Sequence, residues 1–317
     1  MRPTVPTAAD PRVVDAHQHF WPAGLRKGAP GTEALDRGFF PADLESELAG
    51  GPVGRTVLVQ CAEGPEENDR MASYTAAWPR VAGVVAWLPP DDAGAAAREL
   101  DRVRAAGLPV VGARSAVGAD LARSLADGGR VPAFAAAADG GRFPALSVAA
   151  DAGLAWDVVV KGGAHVDLVE AAAAALPHLR IVVDHLATPP VADGGWEPWA
   201  GWVRRLAAHP NVAVKVSVGV DVLTRWTWRA ADLAPYVARV LDAFGPDRAM
   251  LAGNWPVVRL ARAHGPAWAD LDRLVVDAGV GADGLRRVRG GTADAWYRLP
   301  GAPPEGPDGP GSAHRGR

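Results

Sequence analysis

A single cysteine, Cys61, occurs among 317 residues, so no internal disulfide is available. It follows the apolar run Thr56-Val-Leu-Val-Gln60, where a buried free thiol in a reducing compartment is expected. Charge of one sign is lacking as well. With 33 basic and 36 acidic side chains the formal net charge is -3, which leaves no electrostatic footprint for nucleic acid. No stretch approaches the roughly 20 apolar residues that span a bilayer. The first eleven residues also lack the apolar segment of a signal peptide, so a cytoplasmic protein without membrane contact is expected. A small-molecule substrate is the remaining partner class, and nothing in the sequence sets an oligomeric state.

Apolar residues make up 49% of the chain and charged residues 22%, enough to form one sizeable core and to exclude disorder throughout. Short runs rich in Val, Ile and Leu recur at 12–17, 55–60, 81–88, 109–116, 155–161, 180–186, 212–217 and 249–255. Helix-length segments lie between them, at 66–78, 91–106, 164–176, 199–208 and 231–244. Near-continuous apolar strands alternating with helices imply parallel βα units. Eight units predict a closed (β/α)8 TIM barrel of the α/β class, a single domain over 12–299. A doubly wound sheet would want a glycine-rich phosphate turn after its first strand, and His17-Gln18-His19 stands there instead. Residues 1–11 and 300–317 read as disordered ends, and 22–40 as a loop over the barrel mouth.

Residues two apart on a strand face the same way, so the His17 and His19 imidazoles point together. His185 closes the sixth predicted strand and can meet them at the centre of a barrel, whose active sites form at the C-terminal strand ends. Three neutral imidazoles suit a single divalent metal, Zn²⁺ foremost, but they can equally stabilise an oxyanion without one. Arg114, Trp21, Lys215 and Trp255 also fall at or just beyond strand ends and are candidate substrate contacts. For each a blander reading exists: a mouth ion pair for Arg114, a buried ion pair for Lys215, wall packing for the indoles. His165, His178, His209 and His264 read as helix or loop surface residues.

The motifs Val14-Asp-Ala-His-Gln-His-Phe-Trp21, Gly112-Ala-Arg114, Val182-Val-Asp-His-Leu186 and Asn254-Trp-Pro-Val257, in this order and spacing, resemble the amidohydrolase superfamily. The resemblance is to the branch of fuconolactonase-like and pyrone-dicarboxylate-lactonase-like enzymes. It implies a hydrolase opening a lactone or similar cyclic ester of a small polar metabolite. His17, His19 and His185 would surround the scissile carbonyl, with or without metal, and Arg114 would contact the substrate.

One position departs from that pattern. The last-strand motif of these enzymes usually carries an aspartate that activates water or binds metal, where this chain has Asn254. A carboxamide cannot take a proton near neutral pH. Three readings follow. Glu63, Asp157 or Asp15 supplies the base, Asp15 sharing the alternation of His17 and His19; or a histidine acts as base while Asn254 positions water or substrate. In the third, hydrolysis has given way to lyase, decarboxylase or cyclase chemistry of a specialised pathway, or to an inactive binding protein.

Overall fold

A computed structural model describes residues 9–25, 32–90, 92–114, 143–219 and 228–301. Eight parallel strands run in sequence order: β1 (Asp10–Gln18), β2 (Val53–Val59), β3 (Val81–Ala86), β4 (Val110–Ala113), β5 (Ala155–Val158), β6 (Arg180–Val183), β7 (Val212–Val216) and β8 (Ala249–Leu251). Ladders join each strand to the next, while β8 and β1 meet through a single bridge, Gln18 with Trp255. The result is the expected (β/α)8 barrel with one narrow seam.

A helix follows every strand on the outside: α1 (Pro41–Leu48), α2 (Pro65–Ala77), α3 (Ala93–Ala105), α4 (Pro144–Asp151), α5 (Gly163–Ala175), α6 (Trp199–Ala207), α7 (Ala230–Phe244) and α8 (His264–Asp277). In α6, Trp199, Val203 and Leu206 are buried at helical spacing while Arg204 and Arg205 face water. Two short helices end the described chain, α9 (Ala282–Arg286) and, after a π turn, α10 (Thr292–Tyr297). Helices α1, α4 and α8 were not among the segments expected. Of these, α1 opens with Pro41 and is capped where the Asp43 carboxylate accepts from the Phe40 N–H at 2.9 Å.

Two apolar layers result. Val14, Ala16, Val57, Val59, Ala155, Val182, Ala213, Met250 and Ala252 fill the barrel, and Tyr297 of α10 plugs it from below. The opposite faces of the same strands, including Leu58, Ile181, Val183, Val214 and Leu251, pack against the helices. Each such Val or Leu taken out of water contributes about 1.5–3 kcal/mol.

Strand β1 begins at Asp10, inside the segment expected to be disordered. Residues 1–8, 302–317 and, in the expected mouth loop, 26–31 lie outside the described residues. Among the described residues no helix is long and apolar enough to cross a membrane.

Candidate active site

Strict alternation along β1 would turn Asp15, His17 and His19 the same way, but the strand does not alternate strictly. Asp15 pairs with Thr56 and Gln18 with Leu58, three residues against two, which is a β-bulge. Asp15, between the inward Val14 and Ala16, faces outward to the helix layer, where its Oδ2 accepts from His264 Nε2 at 2.8 Å, and the bulge that follows it is what breaks the alternation before His17. Asp15 is therefore not an inward base. Its Oδ1 accepts from the N–H of His17 at 3.1 Å, closing the bulge on which His17 turns inward.

His17 and His19 then stand with their Nε2 atoms 2.9 Å apart. His19 Nδ1 lies 2.7 Å from the Val59 carbonyl, which can only accept, so Nδ1 carries the His19 proton and Nε2 keeps a lone pair. That makes His17 Nε2 the donor between the rings. His17 Nδ1 correspondingly accepts from Lys215 Nζ at 3.0 Å. Burial, with Lys215 adding to it, holds the His17 imidazole well below its ordinary range, so the ring is neutral.

His185 reaches the same centre by a different device. Asp184 faces into the barrel after Val182, so continued strand would turn His185 outward. Instead His185, Leu186, Ala187 and Thr188 all take left-handed backbone conformations, with φ of 53°, 55°, 55° and 49°. Such a run costs non-glycine residues about 1–2 kcal/mol each. It is held by Trp199 Nε1, which donates to the Leu186 carbonyl at 2.8 Å, and by the Thr188 hydroxyl, which donates to the Val160 carbonyl. His185 is thereby swung back until its ring centroid lies 4.7 Å from that of His17, with Nδ1 2.8 Å from Ser217 Oγ. Burial pushes this imidazole down to about 3.

Both neighbours in the pair Asp184-His185 thus enter the site, and Asp184 is the residue the sequence reading left out. It is fully buried. Lys215 Nζ and His17 Nδ1 lie 3.1 and 3.2 Å from its Oδ1, and Arg114 lies 3.8 Å from its Oδ2. None of these meets it along a hydrogen-bond direction, so both oxygens lack a hydrogen bond. Burial alone would raise this carboxyl, but the Lys215 charge foremost, with His17 beside it and the Arg114 charge, outweighs burial and holds it well below the usual range.

Lys215 lies wholly beneath the surface, 2.5 Å from Asp157 Oδ2. Asp157 also accepts from the Tyr297 hydroxyl at 2.8 Å, and burial raises its carboxyl to about 6. Lys215 is the charged floor of the site and does not reach its mouth, while Asp157 sits one residue further from His17. Arg114 keeps a side chain 15% exposed at the mouth. Glu63 is exposed.

The two candidate indoles are fully buried. Trp21 Nε1 lies 3.2 Å from the Leu35 carbonyl, Trp255 Nε1 donates to Glu47 at 3.1 Å, and both rings pack on Phe39. They form an aromatic wall behind β1, with the Trp21 ring centroid 6.3 Å from that of His19. His165 and His264 are also buried, contrary to a surface reading: His165 Nδ1 accepts from the Lys161 N–H, and His264 holds Asp15.

Among the described residues, His17, Asp184 and His185 bring one ligand atom each within 4.8 Å of one another. Two imidazoles and a carboxylate are a donor set for a divalent metal, and the unsatisfied Asp184 oxygens fit that use. Asn254 backs the cluster: its N–H donates to the His17 carbonyl at 2.8 Å and its Nδ2 to the Val218 carbonyl at 2.7 Å, leaving a buried Oδ1 without a partner.

Residues 14–299 match the sequence profile of the amidohydrolase family. An L-fucono-1,5-lactonase of Burkholderia ambifaria is 35% identical over 304 residues, covering 90% of this chain and 95% of that protein. A crystal structure of an amidohydrolase from Burkholderia multivorans with bound HEPES superposes with a TM-score of 0.77 at 28% identity, covering 91% of this chain and 99% of the other. In a second crystal form, which contains bound zinc, the TM-score is 0.76 at the same 28% identity and the same coverage of both chains.

Proposed function

This chain belongs to the amidohydrolase family, and we propose that within it the protein is a lactonase that opens a small polar aldonolactone such as L-fucono-1,5-lactone. The observation that carries this reading is the convergence of neutral His17 and His185 on a buried Asp184 whose oxygens lack hydrogen bonds. A hydrolase needs a polarising donor and an acceptor for the proton of water in one dry place, and these groups supply both.

In this reading the hydrogen bond of the His17 Nε2–H, which without substrate is given to His19 Nε2, is transferred to the carbonyl oxygen of the substrate. Lys215 against Nδ1 strengthens that donor as negative charge develops. Asp184 accepts the proton of the attacking water, the role for which Asn254 has no basic group. His185, oriented by Ser217, borders the same atom, and Arg114 orients the substrate from the mouth. A divalent ion held by His17, His185 and Asp184, zinc being the best match to these donors, would supply Lewis-acid polarisation of the same carbonyl.

A pH-indicator assay over a series of aldono-1,5-lactones tests the proposal. Acid release well above the spontaneous rate is expected for at least one member, with L-fucono-1,5-lactone the first to try. Uniform failure across the series would overturn it. Carbon dioxide or an unsaturated product in place of acid would move the protein to the lyase class.

A further inference from the structure

The seam between β8 and β1 is where His17 and Asn254 meet, and it lacks a regular ladder. A side chain fills the gap. Asp15 Oδ1 accepts from the Gly253 N–H at 2.7 Å and from the His17 N–H at 3.1 Å, so one carboxylate oxygen ties the two strand ends together. Its other oxygen is held by His264 at the start of α8. His264 is 1% exposed, its ring stacks on Trp268, and its own N–H donates to Glu47 Oε2 at 2.7 Å. Glu47 Oε1 in turn accepts from Trp255 Nε1, the residue after Asn254.

Gly253 shows how closely this pair is built in. A Cβ there would stand 2.5 Å from Asp15 Oδ2 and 2.6 Å from His264 Nε2. Both contacts are too short for any side chain, so the glycine leaves the space that the pair occupies.

We propose that Asp15 and His264 are a positioning pair, whose task is to hold the β1 bulge and thereby fix where the His17 imidazole stands relative to Asn254 and Asp184. Neither residue touches substrate. A displacement of His17 by about 1 Å is enough to lower turnover by about 10²-fold. The pair does not depend on which substrate the site takes, so the inference goes beyond the lactonase reading.

The test compares His264→Gln with His264→Leu in the full chain. Glutamine places an N–H near the position of Nε2, whereas leucine keeps bulk without a donor. Two quantities are read: the ¹⁵N resonances of the His17 and His19 rings without substrate, and kcat and KM on a lactone that the wild type turns over. The expected result is displaced His17 ring resonances in His264→Leu and near-native ones in His264→Gln. With them goes a kcat loss of about 10²-fold in the leucine variant, at little changed KM, that the glutamine variant largely recovers.

Native ring resonances in a folded His264→Leu, or a glutamine variant no better than leucine, would overturn the proposal. Should the leucine variant not fold, His264→Asn, one methylene shorter than His264→Gln, takes its place with the same expected contrast. Because the resonances need no substrate, a wrong lactonase reading leaves this outcome readable.

Discussion

Asn254 Nδ2 donates to the Val218 carbonyl at 2.7 Å, which fixes the residue as an amide. Its φ of 51° is a backbone region that asparagine tolerates better than most residues. In Asn254→Asp a carboxylate oxygen would face that carbonyl oxygen in a buried place. The substitution is therefore expected to lower stability by about 1–3 kcal/mol and to bring no gain in lactone turnover. Urea denaturation and the indicator assay check both, and a variant that is stable and faster than wild type would show that the last-strand carboxylate is merely missing.

Lys215 is the cation shared by the buried carboxylates Asp157 and Asp184. Removing one member of a buried ionic cluster leaves uncompensated charge, so Lys215→Met is expected to cost about 3–5 kcal/mol. Adding Asp157→Asn removes one of the stranded charges and recovers part of that loss. Denaturation of the single and double variants measures it. A single-variant cost of surface-pair size, about 1 kcal/mol or less, would contradict the arrangement.

The buried imidazoles set an acid limit. His185 is held at about 3 and His17 well below its ordinary 6.5, so in the folded protein both stay neutral where the unfolded chain takes up protons. Stability therefore falls as pH drops below 6.5, by about 1.4 kcal/mol per pH unit for His185 until its own value of about 3 is approached, and His17 adds a loss of the same sign. Asp184, pushed up by burial but pulled further down by Lys215, His17 and Arg114, adds to the loss only below its ordinary 3.8. Asp157, raised by burial to about 6, binds its proton earlier in the folded than in the unfolded state and offsets part of the loss between about 6 and 3.8. The urea midpoint should fall from pH 7 to pH 4.5, and less steeply in His185→Gln. Equal slopes for the two proteins would contradict the assignment.

The eight strands are legible because a strand buried on both faces is written as continuous Val, Ile and Leu, and the His17/His19 pair is legible because it closes the first of them. Asp184 and Asp15 are not legible, for one shared reason: alternation fails beside each. At Asp184 a left-handed run of ordinary residues turns His185 inward next to it, and at Asp15 a bulge inserts one residue before His17. Neither break carries a glycine that would mark it. His264 follows from the second break, since its burial makes sense only once Asp15 faces outward. Trp21 and Trp255 lie near site-bearing strand ends in the sequence, yet a position beyond a strand end does not say whether an indole faces the mouth or the wall behind it.

Turnover of L-fucono-1,5-lactone by wild type beside Asp184→Asn, followed as acid release, tests most directly the claim that Asp184 supplies the carboxylate that Asn254 does not. Asparagine keeps the size and burial of the residue and removes its basicity. A wild type well above the spontaneous rate, with a folded Asp184→Asn reduced by about 10²-fold or more, is the predicted result. A folded Asp184→Asn as fast as wild type would contradict it.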